Sequence, residues 1–187
     1  MPAKGKIILI LGGARSGKST FAQHLAETMS TKVLFVATAQ PLDEEMKNRI
    51  EIHRKNRPAS WRTLEAPTNI SKTLHKLVSD AEVVIVDCLT ILVANILGDN
   101  PNKKTEKEIL DEMKTLIDYM NTSRQTFIIV SNELGLGVVP ENKLARIYRD
   151  LLGIVNQIIA HEADEVYFLT AGIPLAIKNN KNKGTKS

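Results

Sequence analysis

The residues best suited to chemistry form a glycine-rich loop near the start of the chain. Positions 12–19 fit the pattern G-x-x-x-x-G-K-[ST] in full, directly after the apolar run Ile7–Leu11 and at the opening of a helix-like segment. This context predicts a phosphate-binding loop that takes a nucleoside triphosphate, whereas the alternative is a glycine-rich turn with a spare lysine. The predicted nucleotide-binding residues here are Gly12, Gly13, Ala14, Arg15, Ser16, Gly17, Lys18 and Ser19.

Two side chains of this loop have predicted chemical tasks. We expect the Lys18 ammonium to reach the β- and γ-phosphates as a catalytic group and the Ser19 hydroxyl to hold Mg²⁺. A second metal ligand is predicted at Asp87, which ends the apolar run Val83–Val86. An acid at the carboxyl edge of a sheet can hold Mg²⁺ beside the phosphates. The alternative for Asp87 is a residue that simply ends a strand in a turn.

A basic cluster surrounds one histidine. His53 lies among Arg49, Arg54, Lys55 and Arg57, close to a proline-marked helix end. Such a cluster attracts polyphosphate, although an exposed basic helix end with an incidental histidine has the same pattern. The other histidines lie among polar neighbours on helix-period segments and are interpreted as solvated; they are His24, His75 and His161. No histidine or cysteine pair has zinc-ligand spacing, so we expect no zinc site.

Apolar runs that alternate with helix-period segments position these residues. Nearly continuous apolarity in the runs predicts strands that are buried on both faces, as in a parallel sheet flanked by helices. The predicted strands are Ile7–Leu11, Val33–Ala37, Val83–Asp87, Thr126–Ser131, Glu165–Leu169 and Ile173–Ile177. The predicted helices are Lys18–Met29, Asp43–Lys55, Ile70–Val78, Leu89–Leu97, Lys104–Asn121 and Glu141–Ala163.

This βα alternation predicts a three-layer α/β fold of the P-loop NTPase type, RecA-like, with a mainly parallel central sheet. Thr105 and Glu108 match a capping box at the start of the fifth helix. We expect residues 1–178 to form a single domain and residues 179–187 to form a disordered, polar and basic tail.

Composition narrows the partners. The chain has 187 residues and a formal net charge of +4. Four lysines lie in or beside the tail, so the domain without them is near neutral. We therefore expect no nucleic-acid partner. The single cysteine, Cys88, indicates a reducing compartment, and no apolar run has the length of a membrane span. We expect a cytoplasmic protein.

The ordered series of motifs resembles the adenosylcobinamide kinase / adenosylcobinamide-phosphate guanylyltransferase family of cobalamin biosynthesis. The resemblance covers roughly residues 6–178. Its motifs are the phosphate loop 12–19, the segment 37–40, Asp43–Met46 with Arg49 and His53, the segment 57–65, Asp87–Thr90, Ser131–Arg146 and Tyr148–Asp150.

The resemblance implies two reactions on nucleotide and corrinoid substrates. The enzyme would phosphorylate the aminopropanol hydroxyl of adenosylcobinamide with ATP or GTP, and then transfer GMP from GTP to the phosphate through a guanylylated histidine. His53 matches that histidine, and its phosphoramidate would divide one difficult displacement into two easier ones. Some members carry paired histidines here, whereas this chain has Ile52 before His53.

The resemblance also implies further nucleotide contacts and a homotrimer. The implied contacts are Ala37, Thr38, Ala39, His53, Arg54, Lys55, Asn56, Glu65 and Asp87. From the residues alone, Glu65 is equally well explained as an exposed turn acid. Two other functions compete: a monofunctional P-loop kinase, which needs no nucleophilic histidine, and a non-catalytic or regulatory ATPase of the same architecture.

Overall fold

The computed structural model describes residues 5–55, 57–78, 80–99 and 102–179. One seven-stranded sheet runs through it in the order β3-β2-β4-β5-β1-β6-β7. The strands are β1 (Ile7–Gly12), β2 (Val33–Ala37), β3 (Arg62–Glu65), β4 (Val83–Asp87), β5 (Thr126–Val130), β6 (Glu165–Thr170) and β7 (Ile173–Asn179). The pairs from β3 to β6 are parallel, and only β7 pairs antiparallel, with β6.

The helices are α1 (Lys18–Met29), α2 (Glu44–Lys55), α3 (Ile70–Leu77), α4 (Leu89–Leu97), α5 (Lys103–Thr122) and α6 (Lys143–Glu162). Alternate residues of the central strands pack on opposite faces. Leu9 and Val84 belong to a core built with α3, α4, α5 and α6, and Ile10 and Ile85 belong to a core built with α1. The three-layer α/β fold with a mainly parallel sheet is therefore confirmed. Among the described residues, no helix is long and apolar enough to cross a membrane.

Two local predictions need correction. The strand β3 was not predicted, because three of its four side chains are exposed and an edge strand of this kind carries no apolar pattern. The capping box of α5 lies one turn earlier than predicted. Asn102 Oδ1 accepts from the Thr105 backbone amide at 3.2 Å, while Thr105 Oγ1 accepts from the Asn102 amide at 3.3 Å. Thr105 is thus the third helical residue rather than the cap.

The sheet topology determines what meets at its carboxyl edge. β5 lies between β1, which leads into the phosphate loop, and β4, which ends at Asp87. Residues that follow β5 therefore emerge between the loop and Asp87. Most of the predicted tail, residues 180–187, lies outside the described residues.

Candidate active site

The phosphate loop needs glycine at two of its positions. Gly12 has φ 151° and Gly17 has φ 91°, and Arg15 is also left-handed, at φ 56°. A Cβ on Gly12 would lie 2.4 Å from the Leu169 carbonyl oxygen, so any larger residue would push the loop away from β6. Around Gly13 nothing lies within 4 Å of such a position, so the space beside this residue is open.

Lys18 is held inside the loop. Its Nζ donates to the Gly13 carbonyl oxygen at 2.6 Å, and only 8% of the residue is exposed. Burial is the main cause that lowers the pKa of Lys18, the Arg49 charge lowers it further, and Cys88 and Asp87 act in the opposite direction. The ammonium is thus fixed at the base of the loop, where a bound polyphosphate would meet it.

Asp87 lies next to the loop, at the end of β4. Burial raises the pKa of its carboxyl group, and the neighbouring Ser19, His53, Arg57 and Lys18 act in the opposite direction. The two predicted metal ligands, Ser19 and Asp87, line the same cavity. The described residues contain no cluster of three or more His, Cys, Asp or Glu side chains that could hold a metal without further ligands.

Two cavities open at this edge of the sheet. The loop cavity, of about 660 Å³, is lined by residues 14–20 together with Asn48, Val130 and Asn132. The helix cavity, of about 520 Å³, lies between α2 and β3 and is lined by Ala37, Ala39, Ile50, Arg54, Arg57 and Glu65, among others. Both cavities share one set of lining residues: Ser19, Met46, Arg49, His53, Asp87, Cys88 and Ile91.

The structure thus brings His53 to the boundary between the two cavities, on the same site as Lys18 and Asp87. His53 is half-buried, whereas His24, His75 and His161 are exposed and line neither cavity. His75 also packs against Tyr119, with ring centroids 4.3 Å apart.

The other predicted contacts lie at different distances from the cavities. Arg54 and Glu65 form an ion pair at the rim of the helix cavity. Thr38 is fully buried and lines neither cavity. Its hydroxyl donates to the Cys88 carbonyl and accepts from the Cys88 amide, both at 2.9 Å, so its side chain acts on the site through Cys88. Lys55 is exposed and lines neither cavity, and Asn56 lies outside the described residues.

Sequence reasoning gave no separate role to Arg57. Its guanidinium carbon lies 3.5 Å from the centre of the Phe35 ring, and its Nε and Nη1 are buried without a hydrogen-bond partner in the described part of the chain. Burial lowers the pKa of Arg57, and Asp87 opposes this. A cation held on an aromatic face with unused donors beside a cavity is suited to an anionic ligand. The sequence signals for Arg57 were its membership in the basic cluster and its place at the start of the motif 57–65.

The sheet order, the phosphate loop and Asp87 together define a P-loop NTPase fold. A protein of Pyrococcus horikoshii OT3 has a similar fold, with a TM-score of 0.59 at 10% identity over 97% of this chain and 91% of that one. Residues 8–177 match the family described as cobinamide kinase / cobinamide phosphate guanyltransferase. The chain therefore belongs to this family.

Two curated relatives have names that agree with this family. The chain is 41% identical over 181 residues to the bifunctional adenosylcobalamin biosynthesis protein CobU of Escherichia coli K12, covering 92% of this chain and 99% of the relative. It is 44% identical over 172 residues to the bifunctional adenosylcobalamin biosynthesis protein CobP of Pseudomonas aeruginosa, covering 91% of this chain and 96% of the relative.

Proposed function

We propose that this protein is a bifunctional enzyme that phosphorylates adenosylcobinamide with ATP or GTP and then transfers GMP from GTP to the new phosphate. Family membership supports both reactions. The observation that carries the assignment to this site is the position of His53, which lines the loop cavity and the helix cavity together with Ser19 and Asp87. A kinase alone has no need of a histidine at that boundary.

The kinase reaction is assigned to the phosphate loop. The hydroxyl oxygen of the corrinoid side chain attacks the γ-phosphorus, the bond to the bridging oxygen breaks, the nucleoside diphosphate leaves with the electron pair, and the hydroxyl proton passes to solvent. The loop amides and Lys18 hold the γ-phosphoryl group in line and balance its charge. Because Lys18 is already fixed on Gly13, little reorganisation is needed when the nucleotide enters.

The donor set fits Mg²⁺. Ser19 and Asp87 would supply oxygen ligands, and both line the loop cavity and the helix cavity. Mg²⁺ prefers such ligands and takes its remaining ones from phosphates and water, which agrees with the small number of acidic groups here. When bound, the metal ion would neutralise charge on the β- and γ-phosphate oxygens.

The guanylyl transfer is assigned to His53. In the first step an imidazole nitrogen attacks the α-phosphorus of GTP, the bond to the bridging oxygen breaks, pyrophosphate leaves, and the ring proton is released. In the second step a phosphate oxygen of adenosylcobinamide phosphate attacks the same phosphorus, and the phosphorus–nitrogen bond breaks to give adenosylcobinamide-GDP and free His53. The unused donors of Arg57 and the nearby Arg49 are suited to binding the phosphates during these steps.

The remaining parts of the proposal rest on resemblance or on general features of the chain. They are a homotrimeric assembly, a single domain over residues 1–178, a cytoplasmic location, and nucleotide contacts by the cavity-lining members of the predicted set.

Incubation with GTP that is radiolabelled at the α-phosphorus tests the bifunctional assignment. We expect a protein-bound label that is labile in acid and stable in alkali, as a phosphoramidate is, and that moves to the product when adenosylcobinamide phosphate is added. A monofunctional kinase or a non-catalytic ATPase would acquire no such label.

A further inference from the structure

The segment that follows β5 is fixed beside the phosphate loop by hydrogen bonds on both sides. The Ser131 amide donates to the Ile10 carbonyl at 3.0 Å, and the Glu133 amide donates to the Gly12 carbonyl at 3.0 Å. The parallel pairing of β5 with β1 therefore continues past the end of β5 and reaches the first glycine of the loop. Asn132 lies between these two contacts.

The backbone of Asn132 is held on its other side by two buried polar side chains. Its amide donates to Thr90 Oγ1 at 2.7 Å, and its carbonyl accepts from Asn156 Nδ2 at 2.9 Å. Thr90 is in turn fixed by Tyr148, whose hydroxyl donates to the Thr90 carbonyl at 2.9 Å. Thr90 is 6% exposed and Asn156 is 5% exposed. Hydrogen bonds to β1, α4 and α6 thus fix the backbone on both sides of Asn132.

In contrast to its backbone, the Asn132 side chain makes no hydrogen bond to any described residue, and it is only half-buried. Asn132 lines the loop cavity, which also contains Lys18, Ser19 and Asp87. Successive residues of an extended strand point to opposite faces, which places Asn132 on the same face as Val130, another lining residue of that cavity. A carboxamide with two donors and an acceptor is therefore presented, unpaired, to the loop cavity.

The strand order explains what this carboxamide would meet. β5 separates β1, which carries the phosphate loop, from β4, which carries Asp87. A nucleotide held by Lys18 and by a metal ion at Ser19 and Asp87 must place its terminal phosphate between these two strands, which is where the chain emerges from β5.

We infer that Asn132 is a further catalytic residue of the kinase reaction, whose side-chain amide donates to the γ-phosphoryl group during its transfer to the acceptor hydroxyl. Thr90 and Asn156 act as positioning residues, because they hold the Asn132 backbone rather than the substrate. This inference rests on the proposed kinase function. It adds no step to the reaction, since Asn132 only stabilises the charge on the γ-phosphoryl oxygens while the bond to the acceptor forms and the bond to the diphosphate breaks.

The test compares Asn132→Ala with Gln157→Ala, which removes an exposed amide on α6 that lines neither cavity. Phosphorylation of adenosylcobinamide is measured with ATP, ATP binding is measured by equilibrium dialysis, and guanylylation is measured with α-labelled GTP. We expect Asn132→Ala to lower the kinase kcat by about 10²-fold. ATP affinity and protein labelling should change little, and Gln157→Ala should match the unaltered chain.

A second pair of variants tests the positioning residues. Thr90→Val removes the acceptor of the Asn132 amide and should lower the kinase kcat by about tenfold at unchanged KM, while Thr90→Ser, which keeps the oxygen, should restore it. The inference is overturned if Asn132→Ala keeps the normal kinase kcat, if it loses labelling and kinase activity equally, or if Thr90→Ser is as impaired as Thr90→Val. An unaltered chain that labels with GTP but phosphorylates no adenosylcobinamide would overturn the kinase assignment itself.

Discussion

The two halves of the site are built on very different supports. Asp87 ends β4, and Lys18 begins α1 directly after the loop that follows β1; the apolar residues of both strands are almost fully buried. His53 lies on α2, a helix that has no buried residue and makes sparse contacts with other helices and strands. Two interactions hold α2. The Asp43 side chain caps its first turn by accepting from the Met46 amide at 2.7 Å, and Arg54 near its end forms an ion pair with Glu65 of β3.

The phosphate-binding groups Lys18 and Asp87 are therefore preorganised, whereas the candidate nucleophile His53 depends on a solvent-exposed helix. Surface ion pairs contribute little to stability, so α2 has few interactions that fix it against the sheet. Changes in the loop should affect every reaction of a bound nucleotide, while replacement of His53 on α2 should affect mainly the reaction that uses this side chain.

We expect His53→Asn to separate guanylyl transfer from kinase activity more sharply than any other variant. This variant should lose protein labelling from GTP and guanylyl transfer completely, because no other histidine lines the loop cavity or the helix cavity. Kinase activity should fall much less, since phosphoryl transfer needs no covalent intermediate. His24→Asn, on the exposed face of α1, is the matched control. Peptide mapping that places GMP on His24, His75 or His161 would contradict the mechanism.

Lys18→Ala should weaken both reactions. Removing one fixed cation from a polyphosphate site costs about 3 kcal/mol of transition-state stabilisation, or on the order of 10² in rate. Kinase and guanylyl-transfer rates are the measurement, and the far-ultraviolet circular dichroism should be unchanged. Lys72→Ala, at an exposed position of α3, serves as the control. Near-normal turnover by Lys18→Ala would remove the loop from the mechanism.

A smaller effect is expected for Asp87→Asn. The change keeps the shape of the side chain but removes the charge that the metal ion would meet, and a charge-assisted contact contributes about 1.5–3 kcal/mol. The Mg²⁺ concentration for half-maximal kinase activity should therefore rise by roughly tenfold or more. If activity is kept and the Mg²⁺ dependence does not move, Asp87 is only a residue that ends a strand.

The smallest effect concerns stability. Ile52, 59% exposed on α2, should tolerate replacement by Ala with a change of at most about 0.5 kcal/mol in the free energy of unfolding. The same replacement at Ile10, which is fully buried in β1, should lower the free energy of unfolding by about 2–5 kcal/mol. Urea denaturation measures both. Equal losses would mean that α2 is packed as firmly as the sheet, and the contrast between the two supports would fail.

Features with a strong local signal were predictable. The apolar runs of β1, β2, β4 and β5 predicted buried parallel strands, and the Asp43 cap agrees with the predicted start of α2. β3 was missed because its side chains face solvent on an edge, and the α5 cap was misplaced because Asn102 and Thr105 use each other's backbone amides. Arg57 was visible in the sequence as a member of the basic cluster and of the motif 57–65, but not as a buried cation, since its distinguishing contact is with Phe35, 22 residues earlier.

The sequence by itself determined the family and the phosphate loop, because both depend on residue types at fixed spacing along the chain, and the resemblance to the family made His53 the candidate nucleophile. Only the tertiary structure placed Asn132 between the phosphate loop and Asp87, and set His53 between two cavities. The reason is physical: the order of parallel strands in a sheet is decided by how the crossover helices pack, and no local spacing records which strand lies between which.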